Sequence, residues 1–143
     1  MAAFIGTHRC KVDDKGRLQV PAVFRRSSGI EGGETFVVTR GFDKHLILYG
    51  PDGWRDFQER LNALPSGSKK RQVIRFFSHN SAPLLVDRQG RVNLPKSFLG
   101  DYGIRDEVLL VGALDHIELW NPADFDTQIS DVDDALREVE HLL

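Results

Sequence analysis

The sequence predicts a mainly β fold with helices, in which two copies of one supersecondary unit combine into a single barrel. Three observations carry this expectation. The stretch VDDKGRLQVP at residues 12–21 returns 74 positions later as VDRQGRVNLP at residues 86–95. Each copy supplies about four short strands and one small helix, bounded by glycine and proline. A unit of that size is too small to bury a core alone, so the two copies need each other.

Aligned at this offset, Val12, Asp13, Gly16, Arg17, Pro21 and Phe24 face the identical residues Val86, Asp87, Gly90, Arg91, Pro95 and Phe98. Leu18, Gln19 and Val20 are answered by Val92, Asn93 and Leu94. After a shift of two, Phe36, Val37 and Val38 face Val108, Leu109 and Leu110, with Gly32 and Gly33 supplying the extra loop residues of the first copy. A further single deletion sets Leu46, Leu48, Tyr49, Pro51 and Trp54 against Ile117, Leu119, Trp120, Pro122 and Phe125.

In the first copy, residues 9–13 and 17–20 are strand candidates joined by Asp14-Lys15-Gly16, a three-residue loop with glycine where a left-handed residue is wanted, so a tight hairpin is expected. Strand alternation turns Leu18 and Val20 to one face, and Arg17 and Gln19 to the other. Pro21 then suits the start of a short helix, AVFRRSS, with Gly29 near its end. Strands around 35–39 and 45–49 complete the unit. Between the copies, Trp54, Phe57, Leu61 and Leu64 recur at helical spacing, and after the breaker Pro65-Ser-Gly-Ser a second helix reads KKRQVIRFFSH. Lys69, Lys70 and Arg71 stand in its first turn, where the helix dipole favours acids, which suggests an acidic partner nearby or a solvated helix end. In the tail, Phe125, Ile129, Val132, Leu136, Val139 and Leu143 follow heptad spacing over fewer than three heptads, the pattern of a helix packed on its own body or touching a neighbouring subunit. The chain thus divides into a first repeat (1–53), a helical connector (54–81), a second repeat (82–122) and an acidic C-terminal helix (123–143).

Composition narrows the function. The chain has 143 residues, 41% of them hydrophobic, with no secretory leader pattern and no run long enough to span a bilayer, so a cytoplasmic protein without a membrane partner is expected. The single Cys10 allows no internal disulfide, and His8 with Cys10 makes only half of a structural zinc set. Net charge is −2, yet residues 1–120 hold 18 Lys and Arg against 14 Asp and Glu, while residues 121–143 hold one against seven. A basic body is joined to an acidic tail. No phosphate-binding loop, nucleophile elbow or HExxH motif is present, so no enzyme, no cofactor and no small-molecule substrate are expected.

Chemistry concentrates at the repeated loop. Across three residues, Asp13 lies opposite Arg17 and Asp87 opposite Arg91, so each carboxylate can hold a guanidinium at a fixed angle. A guanidinium fork suits phosphate oxygens and the O6/N7 edge of guanine, and a two-stranded ribbon is narrow enough for a major groove. A surface ion pair that only closes a hairpin is the alternative for one copy. The repetition, with Lys15, Arg88, Gln89 and Asn93 alongside, favours recognition.

These residues, the Asp-x-x-x-Arg loop followed by an apolar residue and proline, present twice, together with RFF at residues 75–77, resemble the MraZ family of bacterial regulators, over nearly the whole chain. One such loop alone also marks the AbrB and MazE swapped-hairpin DNA binders. The resemblance implies a double-split, swapped-hairpin AbrB-like β-barrel, assembly into a ring-shaped homo-oligomer, and sequence-specific binding to repeated elements of double-stranded promoter DNA. It further implies control of the division and cell wall gene cluster, including the protein's own gene, and a nucleoid-associated location. Carried over by position, the paired motif falls on Asp13 with Arg17 and on Asp87 with Arg91, and similarity to the AbrB-type loop implies that Lys11, Arg25 and Arg26 add phosphate or base contacts from the first copy; Lys15 and Arg88, beside the loops, are further DNA-binding candidates. In the second copy Leu85, Leu99 and Gly100 stand where Lys11, Arg25 and Arg26 stand in the first, so the first copy is expected to dominate. An antitoxin-like protein-binding module on the same barrel is the alternative function, with residues 122–143 as its partner-binding extension.

Overall fold

The computed structural model describes residues 3–29 and 35–143. In chain order the elements are β1 (Thr7–Lys11), β2 (Arg17–Gln19), α1 (Ala22–Ser28), β3 (Thr35–Arg40), β4 (Leu46–Tyr49), α2 (Pro51–Asn62) and α3 (Ser68–His79). There follow β5 (Ala82–Leu85), β6 (Arg91–Asn93), α4 (Lys96–Asp101), β7 (Glu107–Gly112), β8 (Ile117–Trp120), α5 (Pro122–Ser130), α6 (Asp133–Val139) and a 3-10 turn at Glu140–Leu142. The prolines punctuate as expected: Pro51 and Pro122 open α2 and α5, while Pro21 and Pro95 stand just ahead of α1 and α4. Gly29 ends α1 with φ 75°, which glycine adopts without a Cβ clash.

Six antiparallel strands form one unclosed sheet in the order β1-β7-β8-β4-β3-β5, and β2 pairs with β6 as a separate two-stranded ribbon. The order is symmetric between repeats, since β1-β7-β8 mirrors β5-β3-β4 and the pseudo-axis runs between β8 and β4. β1 pairs with β7 as its counterpart β5 pairs with β3, and β4 pairs with its own counterpart β8. The result is a double-split barrel woven from both halves, with helices connecting them and closing the chain.

The weave corrects one expectation. Residues 9–20 form the tight turn but only the tip of a hairpin: past the Asp13 N–H to Arg17 O bond and the Val12–Leu18 bridge, the two arms part. β1 runs along β7, Thr7 opposite Val111 through Lys11 opposite Glu107, while β2 turns away to β6. The physical reason lies in the inward residues. Val12, Leu18, Val20 and Phe24, and their counterparts Val86, Val92, Leu94 and Phe98, are all buried in one core with Phe36, Leu46, Leu48, Leu110, Ile117 and Leu119. Arms that stayed paired would cover one side of that core only; arms that split wrap it from two.

The outer face of the β3-β4 half carries a second cluster, Ile47, Tyr49, Phe57 and Phe77, which seats α2 and α3. Phe57 and Phe77 meet edge to face with ring centroids 5.0 Å apart. Arg40 bridges the repeats: its Nε donates to Asn80 Oδ1 at 2.7 Å and a terminal nitrogen donates to Asp101 Oδ2 at 2.6 Å, with the guanidinium 4.9 Å from the Phe98 ring centre. Arg40 is invisible to motif reading, because neither neighbour in sequence predicts its partners.

The tail differs from the expected single packed helix. It breaks at Asp131 and Val132 between α5 and α6, and every residue from 133 to 143 is exposed, Leu136 and Val139 included. Two aspartates at the start of α6 suit a new helix N-terminus better than the interior of a continuing one. The Gly32-Gly33 loop lies outside the described residues. Among the described residues no helix is long and apolar enough to cross a membrane.

Candidate nucleic-acid interface

The site is the outward face of the β2-β6 ribbon and the two loops that bound it. Arg17 pairs with Asn93, Leu18 with Val92, and Gln19 with Arg91. Leu18 and Val92 point into the core, so alternation sends Arg17, Gln19, Arg91 and Asn93 to the opposite face. Two arginines thus lie diagonally across a ribbon contributed half by each repeat, ~7–8 Å apart at the backbone.

Each loop builds the same device. Asp13 Oδ1 accepts the backbone N–H groups of Lys15 at 3.0 Å and Arg17 at 2.8 Å, and its Oδ2 accepts Arg17 Nε at 2.7 Å. Asp87 Oδ1 accepts Gln89 N–H and Arg91 N–H, each at 2.9 Å, and its Oδ2 accepts Arg91 Nε at 3.0 Å. Gly16 and Gly90 close the turns with φ of 84° and 81°. The Arg17 backbone N–H is the main cause that holds the Asp13 carboxyl below the usual carboxylate range; slight burial opposes it, and the Arg17 guanidinium and Lys15 N–H reinforce it. Asp87 is lowered in the same way by Arg91 and Gln89. The backbone N–H groups therefore do more than the opposing guanidinium to keep each aspartate ionised.

The consequence for chemistry is direct. The aspartate takes Nε, the inner nitrogen, which leaves the terminal nitrogens of Arg17 and Arg91 with no hydrogen bond to a described residue. The fork is oriented and unspent. Both side chains are about a third exposed.

The loops are also cross-linked to the opposite repeat. Leu94 N–H donates to Gly16 O at 2.8 Å and Val20 N–H to Gly90 O at 3.0 Å, while Gln19 Nε2 donates to Gln89 O at 2.6 Å. Gln19 was not among the residues singled out for contact, although its alternation with Arg17 already puts it on this face. Lys15 and Arg88 sit exposed at the two loop tips, and Lys11 is exposed at the end of β1. Arg26 is exposed on α1. Arg25 has structural work: its half-buried Nε donates to Val20 O at 3.1 Å, and its guanidinium packs on the Gly90 turn of the other repeat. The second copy offers exposed Leu85 in the place of Lys11, and Leu99, buried, in the place of Arg25.

The family model described as "MraZ protein, putative antitoxin-like" matches residues 3–77 and again residues 76–141. A protein of Lachnoclostridium phytofermentans named "Transcriptional regulator MraZ" is 38% identical over 118 residues, which cover 82% of this chain and 81% of that protein. Another of the same name, from Moorella thermoacetica, is 36% identical over 140 residues, covering 94% of each chain. A solution structure of PHS018 from Pyrococcus horikoshii aligns over 85% of this chain and 100% of its own at 20% identity, with a TM-score of 0.36.

Proposed function

The chain belongs to the MraZ family, and from that premise we propose that it is a transcriptional regulator that binds double-stranded promoter DNA through the β2-β6 ribbon. One observation supports this reading above the others: two arginines on one ribbon face, each fixed through Nε by an aspartate and each keeping its terminal nitrogens for a ligand. A ribbon two strands wide, ~5 Å between strands, fits a major groove ~12 Å wide. Arg17 and Arg91 read base edges or phosphates there, Asp13 and Asp87 hold them, and Lys11, Lys15, Arg26 and Arg88 meet the backbone. Arg25 acts by holding the Gly90 turn. The first repeat, with more free cations around its loop, makes the larger contribution.

One subunit offers few phosphate contacts, and the salt dependence of binding grows by ~0.9 per neutralised phosphate. A ring-shaped homo-oligomer that presents several ribbons to repeated promoter elements raises affinity by about 10²–10⁴ without any new contact. The genes controlled are the division and cell wall cluster, this protein's own among them, and its location is the nucleoid. The alternative, an antitoxin-like protein-binding module, is favoured only by the exposed apolar residues of the C-terminal segment, and requires a stoichiometric small protein partner bound there.

The test is fluorescence anisotropy with duplex DNA from upstream of the protein's own gene, for wild type, Arg17→Ala and Arg91→Ala. Loss of one bidentate contact is worth about 1–3 kcal/mol, or ~5–150-fold in affinity. Arg17→Ala is expected to lose the most, at unchanged particle mass by light scattering. Unaltered affinity in both variants removes the ribbon from the mechanism.

A further inference from the structure

Two features of the subunit have no use in the ribbon reading, and they complement each other. The first is the acidic tail. Residues 131–143 carry Asp131, Asp133, Asp134, Glu138 and Glu140 against Arg137 alone, a balance of −4. Leu136, Val139, Leu142 and Leu143 are 49%, 43%, 73% and 96% exposed on this segment. Four large exposed apolar side chains on this stretch form a face without a partner among the described residues.

The second is the corner between α2 and α3. A groove of about 460 Å³ opens there, lined chiefly by Leu64, Pro65, Lys69, Lys70 and Val73. Residues 65–75 hold Lys69, Lys70, Arg71 and Arg75 and no acid, a balance of +4. Three of these cations crowd the first turn of α3, against the helix dipole, and only Lys70 has a protein acceptor, the Asn62 carbonyl at 2.7 Å, among the described residues. An apolar floor edged by cations matches the tail in apolar content and in size of charge and is opposite to it in sign.

α5 packs on β7, with Asn121 Nδ2 donating to Gly103 O at 2.7 Å at its start, whereas α2 carries the corner ~18 Å away from its own start at the sheet. We propose that the C-terminal segment of one subunit docks its apolar face in the α2-α3 corner of a second copy, with the acidic residues of the segment facing Lys69, Lys70 and Arg71. Such a contact is heterologous: every subunit carries one donor and one acceptor, so repetition closes a ring when the rotation per subunit divides a full turn. This deepens the ring reading of the preceding section and rests on it.

The experiment uses three full-length chains in light scattering coupled to gel filtration. Lys69→Glu/Lys70→Glu/Arg71→Glu alters the corner and places acids where the dipole favours them; Leu136→Ser/Val139→Ser alters only exposed tail positions. Wild type is expected as a closed oligomer. Each variant alone is expected to fall to the monomer mass of 16.2 kDa. Mixed in equal amounts, one contributes an intact tail and the other an intact corner, so a pair of twice that mass forms and grows no further. A wild-type oligomer retained at full size by either variant overturns the docking while the ring stands. Failure of the mixture to pair overturns it as well, and a monomeric wild type overturns both readings. Single-site DNA affinity measured on the same variants separates these outcomes from failure of the ribbon.

Discussion

Gly16 and Gly90 occupy equivalent turns, yet alanine should harm them unequally. Both have φ near +80°, where a Cβ costs about 1–2 kcal/mol in left-handed strain. At Gly16 the added carbon would stand 2.6 Å from the backbone oxygen of Leu94, the residue just past the end of β6, whose own N–H donates to Gly16 O and fixes it in place. Relief needs a shift of the ribbon itself, for about 1–3 kcal/mol more. At Gly90 the near atoms are Arg25 Cζ at 2.6 Å and Gln19 Nε2 at 2.8 Å, both on side chains that can swing outward. Losing their hydrogen bonds, the exposed one of Gln19 and the half-buried one of Arg25, costs roughly 1 kcal/mol. Gly29, with φ 75° and no described atom within 4 Å, measures the strain alone. Thermal unfolding at matched protein concentration should therefore rank Gly16→Ala below Gly90→Ala, and Gly90→Ala at or slightly below Gly29→Ala. The first gap is roughly 1–2 kcal/mol, or ~2–8 °C for a chain of this size. Equal losses at Gly16 and Gly90, or a larger one at Gly90, would refute the reasoning. The same Gly90 variant should also weaken DNA binding through Arg25 and Gln19 without a matching loss of stability.

Arg40→Met is expected to lower the melting temperature by several degrees, since it strands Asn80 and Asp101 and removes the stacked guanidinium, a loss of ~1–3 kcal/mol. Arg40→Lys should recover less than half, because one ammonium cannot reach both partners; a melting temperature at or above wild type in the methionine variant sinks this assignment. His116 offers a pH test. Burial works against its charge, but Glu118 and Asp115, the latter 2.7 Å from Nδ1, outweigh that and raise it above the ordinary histidine value. A raised value in the folded state contributes stability below pH ~6.5 that disappears as pH climbs through the folded value. His116→Gln should thus cost more at pH 5.5 than at pH 8.5, read as the difference in melting temperature from wild type; a larger cost at the alkaline end contradicts it. Buried His45, whose value burial lowers, trends the other way in wild type, so the comparison must be between variants and not along one curve.

The repeat made most of the fold legible. Residues that match between copies, Val12 with Val86 and Phe24 with Phe98, match because both are core. Polar matches, Asp13 with Asp87 and Arg17 with Arg91, mark the same turn chemistry. Strand partners were not legible. Val12 and Leu18 look the same in a closed hairpin and in a split one, because alternation fixes which side a residue faces and not which strand lies beside it. For the same reason Arg25 read as a free cation: nothing local says that a turn from 65 residues further along will pack on it. The break at Asp131 and Val132 is hidden by an apolar spacing that continues across it.

The shared ribbon gives the molecule a sense of direction. In an assembly of two identical chains, any substitution arrives at both ends at once, and the surface stays its own mirror. Here one end carries Lys15 and Arg26, and the other carries Arg88 and Leu85, all in a single covalent chain. In the proposed DNA-binding role, a lopsided head of this kind would distinguish left from right along a duplex and suit targets that are not palindromes.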